Sequence, residues 1–126
     1  MDVIDHATQG SEDWRPGVRT HMRMSALTKT HQLCIFEQYC DPGLGAPMHI
    51  HAVEEILEVV EGTAEVYLAD RSRIVASDQS VVIPAGARHG FKNVGEGILK
   101  VRATLAAAIF EASYDDRSEL SRRYCP

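Results

Sequence analysis

Short runs of alternating polarity, separated by glycine and proline, recur along the whole chain and leave no place for a long helix. From Val18 to Met24 the residues Val18, Thr20, Met22 and Met24 fall on one face, and Arg19, His21 and Arg23 on the other. That period of two predicts a half-exposed strand. "QLCIFEQYC" (32–40) reads as a second strand, and "DPGLGAP" (41–47) as a turn. "ILEVVEG" (56–62) ends in glycine, and "TAEVYLAD" (63–70) alternates again. "RIVASD" leads into "QSVVIPAGARHGF", a short apolar strand broken at Pro84 and Gly86. After the turn "NVGEG" (93–97), the stretch 98–112 predicts one strand or two. "HAVEEILEVVEG" has a composition that also suits a helix, but its β-branched residues and bounding turns favour strand. The polar tail from Ser113 holds a single helical turn or none. Many short strands between tight turns predict an all-β sandwich or barrel.

The 126 residues fit one domain, 1–126, whose ends (1–13 and 113–126) read as peripheral or flexible. A hydrophobic share of 44% supplies an ordinary core. The net charge of −5 argues against a nucleic-acid surface, which would show a basic excess. No apolar run approaches the length that spans a membrane. The N-terminus lacks a charged-then-apolar signal pattern, so the expected compartment is cytoplasmic. Three cysteines, Cys34, Cys40 and Cys125, have no C-x-x-C spacing and read as free thiols.

The chemistry concentrates in "GAPMHIHAVEEILEVVEG" (45–62). On a strand, residues i and i+2 share a face, so His49 and His51 offer two imidazoles to one side. That suits two vertices of a metal's coordination sphere. Further ligands must come from elsewhere: Glu55 leads into the next strand, and His89 stands just past "PAG". A closed barrel can bring all four together. His6, His21 and His31 read as exposed or terminal.

Two spacings give these residues a wider meaning. Gly43, His49, His51, Glu55 and Gly62 match G-x5-H-x-H-x3,4-E-x6-G at every fixed position. Pro84, Gly86, His89 and Asn93 match G-x5-P-x-G-x2-H-x3-N, with Asp78 in place of the first glycine. Asp tolerates a left-handed backbone better than most residues, so the turn is expected to survive. With these motifs, in a core of about 30–105, the chain resembles the cupins. The resemblance implies a double-stranded β-helix (jelly-roll β-barrel) in which His49, His51, Glu55 and His89 hold one divalent metal. Between the two glutamates, counting back from Gly62 selects Glu55. Parity agrees, since Glu55 shares a face with Leu57 and Val59. The other motif residues shape turns: Gly43 and Gly62 by backbone freedom, Pro84 and Gly86 by aiming His89 inward, and Asn93 by satisfying the 93–97 turn.

Three imidazoles and a carboxylate suit Fe, Mn, Ni, Zn, Co or Cu in the divalent state. On an octahedral ion they leave two positions for substrate, water or dioxygen. By analogy with the family, a mononuclear non-haem dioxygenase leads the expectations. A non-redox isomerase or lyase and a binding or sensing protein without turnover are the alternatives. Acid–base help is sought at Glu55, Tyr67, Tyr39, Arg102 or His21, and Arg102 holds a substrate carboxylate if its face turns inward. The expected lining is apolar: Phe36, Val59, Val66, Leu68, Val82, Phe91, Val101 and Leu105. The expected partners are a small-molecule ligand and a second copy in a homodimer, with no nucleic acid and no membrane. The alternating 18–24 segment is a candidate for the exchanged strand.

Overall fold

The computed structural model describes all 126 residues and contains twelve strands and no α-helix. They are β1 (Glu12–Arg15), β2 (Val18–Met24), β3 (Cys34–Cys40), β4 (Gly45–Ile50), β5 (Glu55–Glu61) and β6 (Thr63–Leu68), then β7 (Arg71–Ala76), β8 (Gln79–Ile83), β9 (His89–Asn93), β10 (Leu99–Leu105), β11 (Phe110–Tyr114) and β12 (Leu120–Arg123). Two short 3₁₀ turns, His6–Thr8 and Ala26–Thr28, precede β1 and follow β2. The strands form two antiparallel six-stranded sheets, in the orders β1-β2-β3-β10-β5-β8 and β12-β11-β4-β9-β6-β7. Their inner faces meet in the all-β jelly roll expected from the sequence.

Alternation decides what lies inside. In β10 the buried set is Leu99, Val101, Ala103 and Leu105, with Lys100, Arg102 and Thr104 between them pointing out. Opposite them stand Phe36 and Cys40 of β3 and Leu57 and Val59 of β5, all buried. The long connection "LAAAIFEA" divides as expected, with β11 beginning at Phe110.

Three departures from the sequence reading have local causes. Val82 is 57% exposed, not part of the lining. The β5–β8 register pairs Glu55 with Ile83 and Ile56 with Val82, and directly paired residues share a face. With Glu55 turned inward, Ile83 goes in and Val82 out. Met24 does not continue the inward row of Val18, Thr20 and Met22. The register shifts after Met22 and pairs Met24 with Ile35, so an irregularity at Arg23 reverses the face. The tail, read as one helical turn or none, forms β12 on β11, and the N-terminal stretch contributes β1.

The motif turns behave as their residue types predict. Asp78 adopts φ 66° and its amide donates to Val59 O at 2.9 Å. Gly62 adopts φ 93°, and a Cβ there would lie 3.2 Å from Ile98 O and from Leu99 Cα. Asn93 is buried; its Nδ2 donates to Cys40 O and Gly97 O, and its Oδ1 accepts from Gly95 N. One side chain thereby closes the 93–97 turn and fixes β9 to the end of β3.

Candidate metal centre

His49 lies on β4 directly opposite His89 on β9, so the two side chains leave the same face of that sheet. His51 follows just past the end of β4 and keeps the same parity. Glu55 opens β5 in the facing sheet. The turn at "PAG" is tied to this group: Gly86 N donates to His51 O at 2.8 Å. The second motif thus positions the first as well as supplying His89.

The four side chains are buried, and their ligand atoms all lie within 4.8 Å of one another. Each imidazole is oriented by a main-chain carbonyl. His49 Nδ1 donates to Pro47 O at 2.7 Å, His51 Nδ1 to Glu111 O at 2.7 Å, and His89 Nδ1 to Ala87 O at 2.8 Å. A proton held on Nδ1 leaves each Nε2 as a lone pair pointing toward the centre. Glu55 Oε1 lies 3.2 Å from His51 Nε2 and 3.0 Å from His89 Nε2.

Burial, with the neighbouring His89 and His51, pulls the pKa of His49 down to about 3. Burial pushes the Glu55 carboxyl up, but His51 and His89, when each carries a second proton on Nε2, hydrogen-bond to it and hold the group low. A neutral His49 and an ionised Glu55 are the forms a cation binds. Three inward lone pairs around a buried carboxylate repel one another unless a cation or protons sit between them. The donor set, its burial and its orientation therefore fit one divalent metal ion.

The space among these groups is small, about 20 Å³, and is walled by Trp14 and Arg15 of β1, Phe36 and Gln38 of β3, and Phe110 and Tyr114 of β11. Phe91 from the expected apolar lining is also at the wall, with Leu57 and Ala103. A much larger groove, about 890 Å³, runs between the edge strands β7 and β8 but contains none of the four ligands. Donor chemistry, not volume, locates the centre.

Tyr67 and Arg102 are not brought to it. Tyr67 Oη donates to Glu65 at 2.8 Å, away from the cavity. Arg102 points outward from β10 and binds Glu37 and Glu58, at 2.8 Å and 3.1 Å. With Arg23 and Lys100 it surrounds Glu37 on the outside of the sheet, so the idea that Arg102 faces a substrate is overturned. Tyr39 and His21 lie on that same outer face, with ring centroids 5.3 Å apart. Cys34 and Cys40 are buried but do not reach the cavity, and burial pushes their thiols up to about 11 and about 12. Such thiols are inert near neutral pH.

The sequence reading passed over Arg15, Gln38 and Tyr114. Parity held the signal for two of them: Gln38 follows Phe36 by two, and Tyr114 follows Phe110 by four. Gln38 donates to Thr20 Oγ1 at 2.9 Å within the core. Tyr114 stacks on His49 with centroids 5.1 Å apart, and its hydroxyl accepts from Arg15 Nη2 at 3.3 Å.

Residues 36–106, more than half of the chain, match the cupin domain family. The chain is a cupin. Among curated proteins it is 40% identical over 53 residues to mannose-1-phosphate guanylyltransferase 2 of Escherichia coli O157:H7. That match covers 42% of this cupin and 11% of the enzyme, so the chain spans a small fraction of that relative's length. Among solved structures, the polyketide cyclase RemF from Streptomyces resistomycificus superposes with TM-score 0.78 at 19% identity, covering 94% of this chain and 88% of RemF. The formate complex of Lactobacillus farciminis oxalate decarboxylase gives TM-score 0.79 at 17% identity, covering 87% of this chain and 34% of the decarboxylase. At these identities the likeness establishes the fold. No helix of this cupin is long and apolar enough to cross a membrane.

Proposed function

We propose that this cupin is a metal-dependent enzyme that binds a small oxygen-bearing molecule at His49, His51, Glu55 and His89 and works on it with dioxygen. The observation that carries this reading is the division of labour in the cavity wall. All its imidazoles and its one carboxylate belong to the ligand cluster; the remaining side chains with polar atoms are Trp14, Arg15, Gln38 and Tyr114. None of those four is a base near neutral pH, since the Trp14 indole only donates, Arg15 is a permanent cation, Gln38 does not ionise, and burial raises the Tyr114 phenol. Proton abstraction by a dedicated side chain therefore has no agent except Glu55. Oxygen chemistry makes no such demand of the protein. When bound, a redox-active ion on this donor set supplies electrons and open coordination positions.

The chain's own residues orient and enclose. Carbonyls of Pro47, Glu111 and Ala87 hold the imidazoles, and Trp14, Phe36 and Phe110 exclude water from the wall. Arg15 and Tyr114 offer hydrogen bonds from the wall. A non-redox isomerase or lyase is the second reading. It is favoured by Tyr114, whose ring packs on His49 and whose hydroxyl is a neutral proton donor, and the likeness to a polyketide cyclase accords with it. Elemental analysis of the purified protein, followed by oxygen-electrode assays against small acids and phenols, separates them. Iron with substrate-dependent oxygen uptake supports the dioxygenase. Turnover unchanged without oxygen supports the isomerase or lyase. Ligand-induced thermal stabilisation with no product supports a binding protein.

A further inference from the structure

We propose that Arg15 anchors the carboxylate of a compact anionic ligand at the metal cavity, with Tyr114 as the second donor. The inference rests on the metal reading of the site and adds the charge and class of what binds there. Seven arginines, 19, 23, 88, 102, 117, 122 and 123, each stand within 4.0 Å of a carboxylate. Of the three that do not, Arg71 and Arg73 are exposed. Arg15 alone is half-buried, and it lines the cavity. A guanidinium has five N–H donors. Arg15 uses Nη1 on Gly45 O at 2.9 Å and Nη2 on Tyr114 Oη at 3.3 Å, so three remain.

Charge gives the sign of the ligand. A divalent ion and Glu55 leave one net positive charge, and Arg15 adds a second. No other carboxylate lines the wall. The Tyr114 hydroxyl accepts from Arg15, which leaves its own proton free to donate. The Tyr114 ring lies against His49 at 5.1 Å, and the guanidinium carbon lies 5.7 Å from that ring's centre. The anchor is thus one aromatic ring away from the donor set. A space of about 20 Å³ admits only one or two water-sized groups. That space takes the ion and one bound oxygen but not a whole acid, so the class assigned is a short 2-hydroxy or 2-oxo acid with one oxygen at the centre and its carboxylate outside, at Arg15.

The test uses the full chain loaded with zinc, which is redox-silent, and titrates glycolate calorimetrically against wild type, Arg15→Gln and Arg15→Lys. Zinc content is measured on each sample. Arg15→Gln is expected to weaken glycolate by about tenfold with zinc content unchanged, and Arg15→Lys to recover part of the loss. A weakening beyond about threefold supports the anchor; a smaller one, or no glycolate binding by zinc-loaded wild type, overturns it and leaves the metal site standing. If wild type holds no zinc yet binds glycolate through Arg15, the metal reading fails and the anchor stands. Should Arg15→Gln not fold, Tyr114→Phe carries the test: glycolate weakened beyond about threefold supports the pair, and a smaller change overturns it.

Discussion

Each ligand histidine is held from behind by a main-chain carbonyl, so removing an imidazole deletes a donor and little of the core. His51→Ala and His89→Ala are therefore expected to lose most of the bound metal while far-UV circular dichroism stays near wild type. Leu99→Ala behaves oppositely. Leu99 is fully buried in the core away from the cavity, and its truncation is expected to cost about 2–5 kcal/mol in urea unfolding. Metal content per folded chain should stay close to wild type. At this scale the ligand set was legible because two strand-parity histidines, a glutamate and a glycine stand at fixed intervals. Arg15 and Tyr114 were not, because each is one ordinary residue near an end of the chain. Only the pairing of β1 and β11 into the two sheets brings them to the cavity.

Strands were legible as elements where alternation met a glycine or proline stop, which covers β2, β3, β5, β6 and β8 to β11; β4 begins at Gly45 inside the stretch read as a turn, and β7 was read only as a lead-in to β8. β12 was hidden because "LSRR" has no alternation, and only its pairing with β11 makes it a strand. Faces were harder than elements, since an irregularity in register, as between Met22 and Met24, reverses parity without leaving a mark in composition. Asn93 shows how one side chain can hold an element. Asn93→Ala leaves Cys40 O, Gly97 O and Gly95 N without their partner, with an expected cost of about 2–3 kcal/mol in urea unfolding.

The outer faces of β2, β3 and β10 carry a second electrostatic group. Burial alone would raise the Glu37 carboxyl, but hydrogen bonds from Arg23 and Arg102, with the charge of Lys100, bring it below the usual range. The folded state then binds fewer protons than the unfolded one. Its contribution is complete above the unfolded carboxylate range, near about pH 4.3, and is lost as pH falls through the lower folded value. Glu37→Gln is expected to cost about 1–2 kcal/mol at pH 7, and the gap from wild type should shrink toward pH 3 in urea titrations at the two pH values. A gap that stays constant with pH would remove the ion cluster from the account.

For the whole molecule, the two sheets form one barrel whose interior mixes an apolar core with a polar centre at the β4–β9 pair. The jelly roll was legible from the two motifs together, because neither closes a site without the other. What the sequence left open was which polar residues share the interior, a question of register between distant strands. A homodimer is the assembly proposed for this cupin, and sedimentation at micromolar concentration checks it; a monomeric mass would contradict it. The most direct test of the central claim is metal stoichiometry by elemental analysis on wild type and His51→Ala, each reloaded after chelation. About one divalent ion per wild-type chain is expected, and less than about a tenth of that in the folded variant. Full occupancy in His51→Ala, or a wild-type chain that takes up no metal, would contradict it.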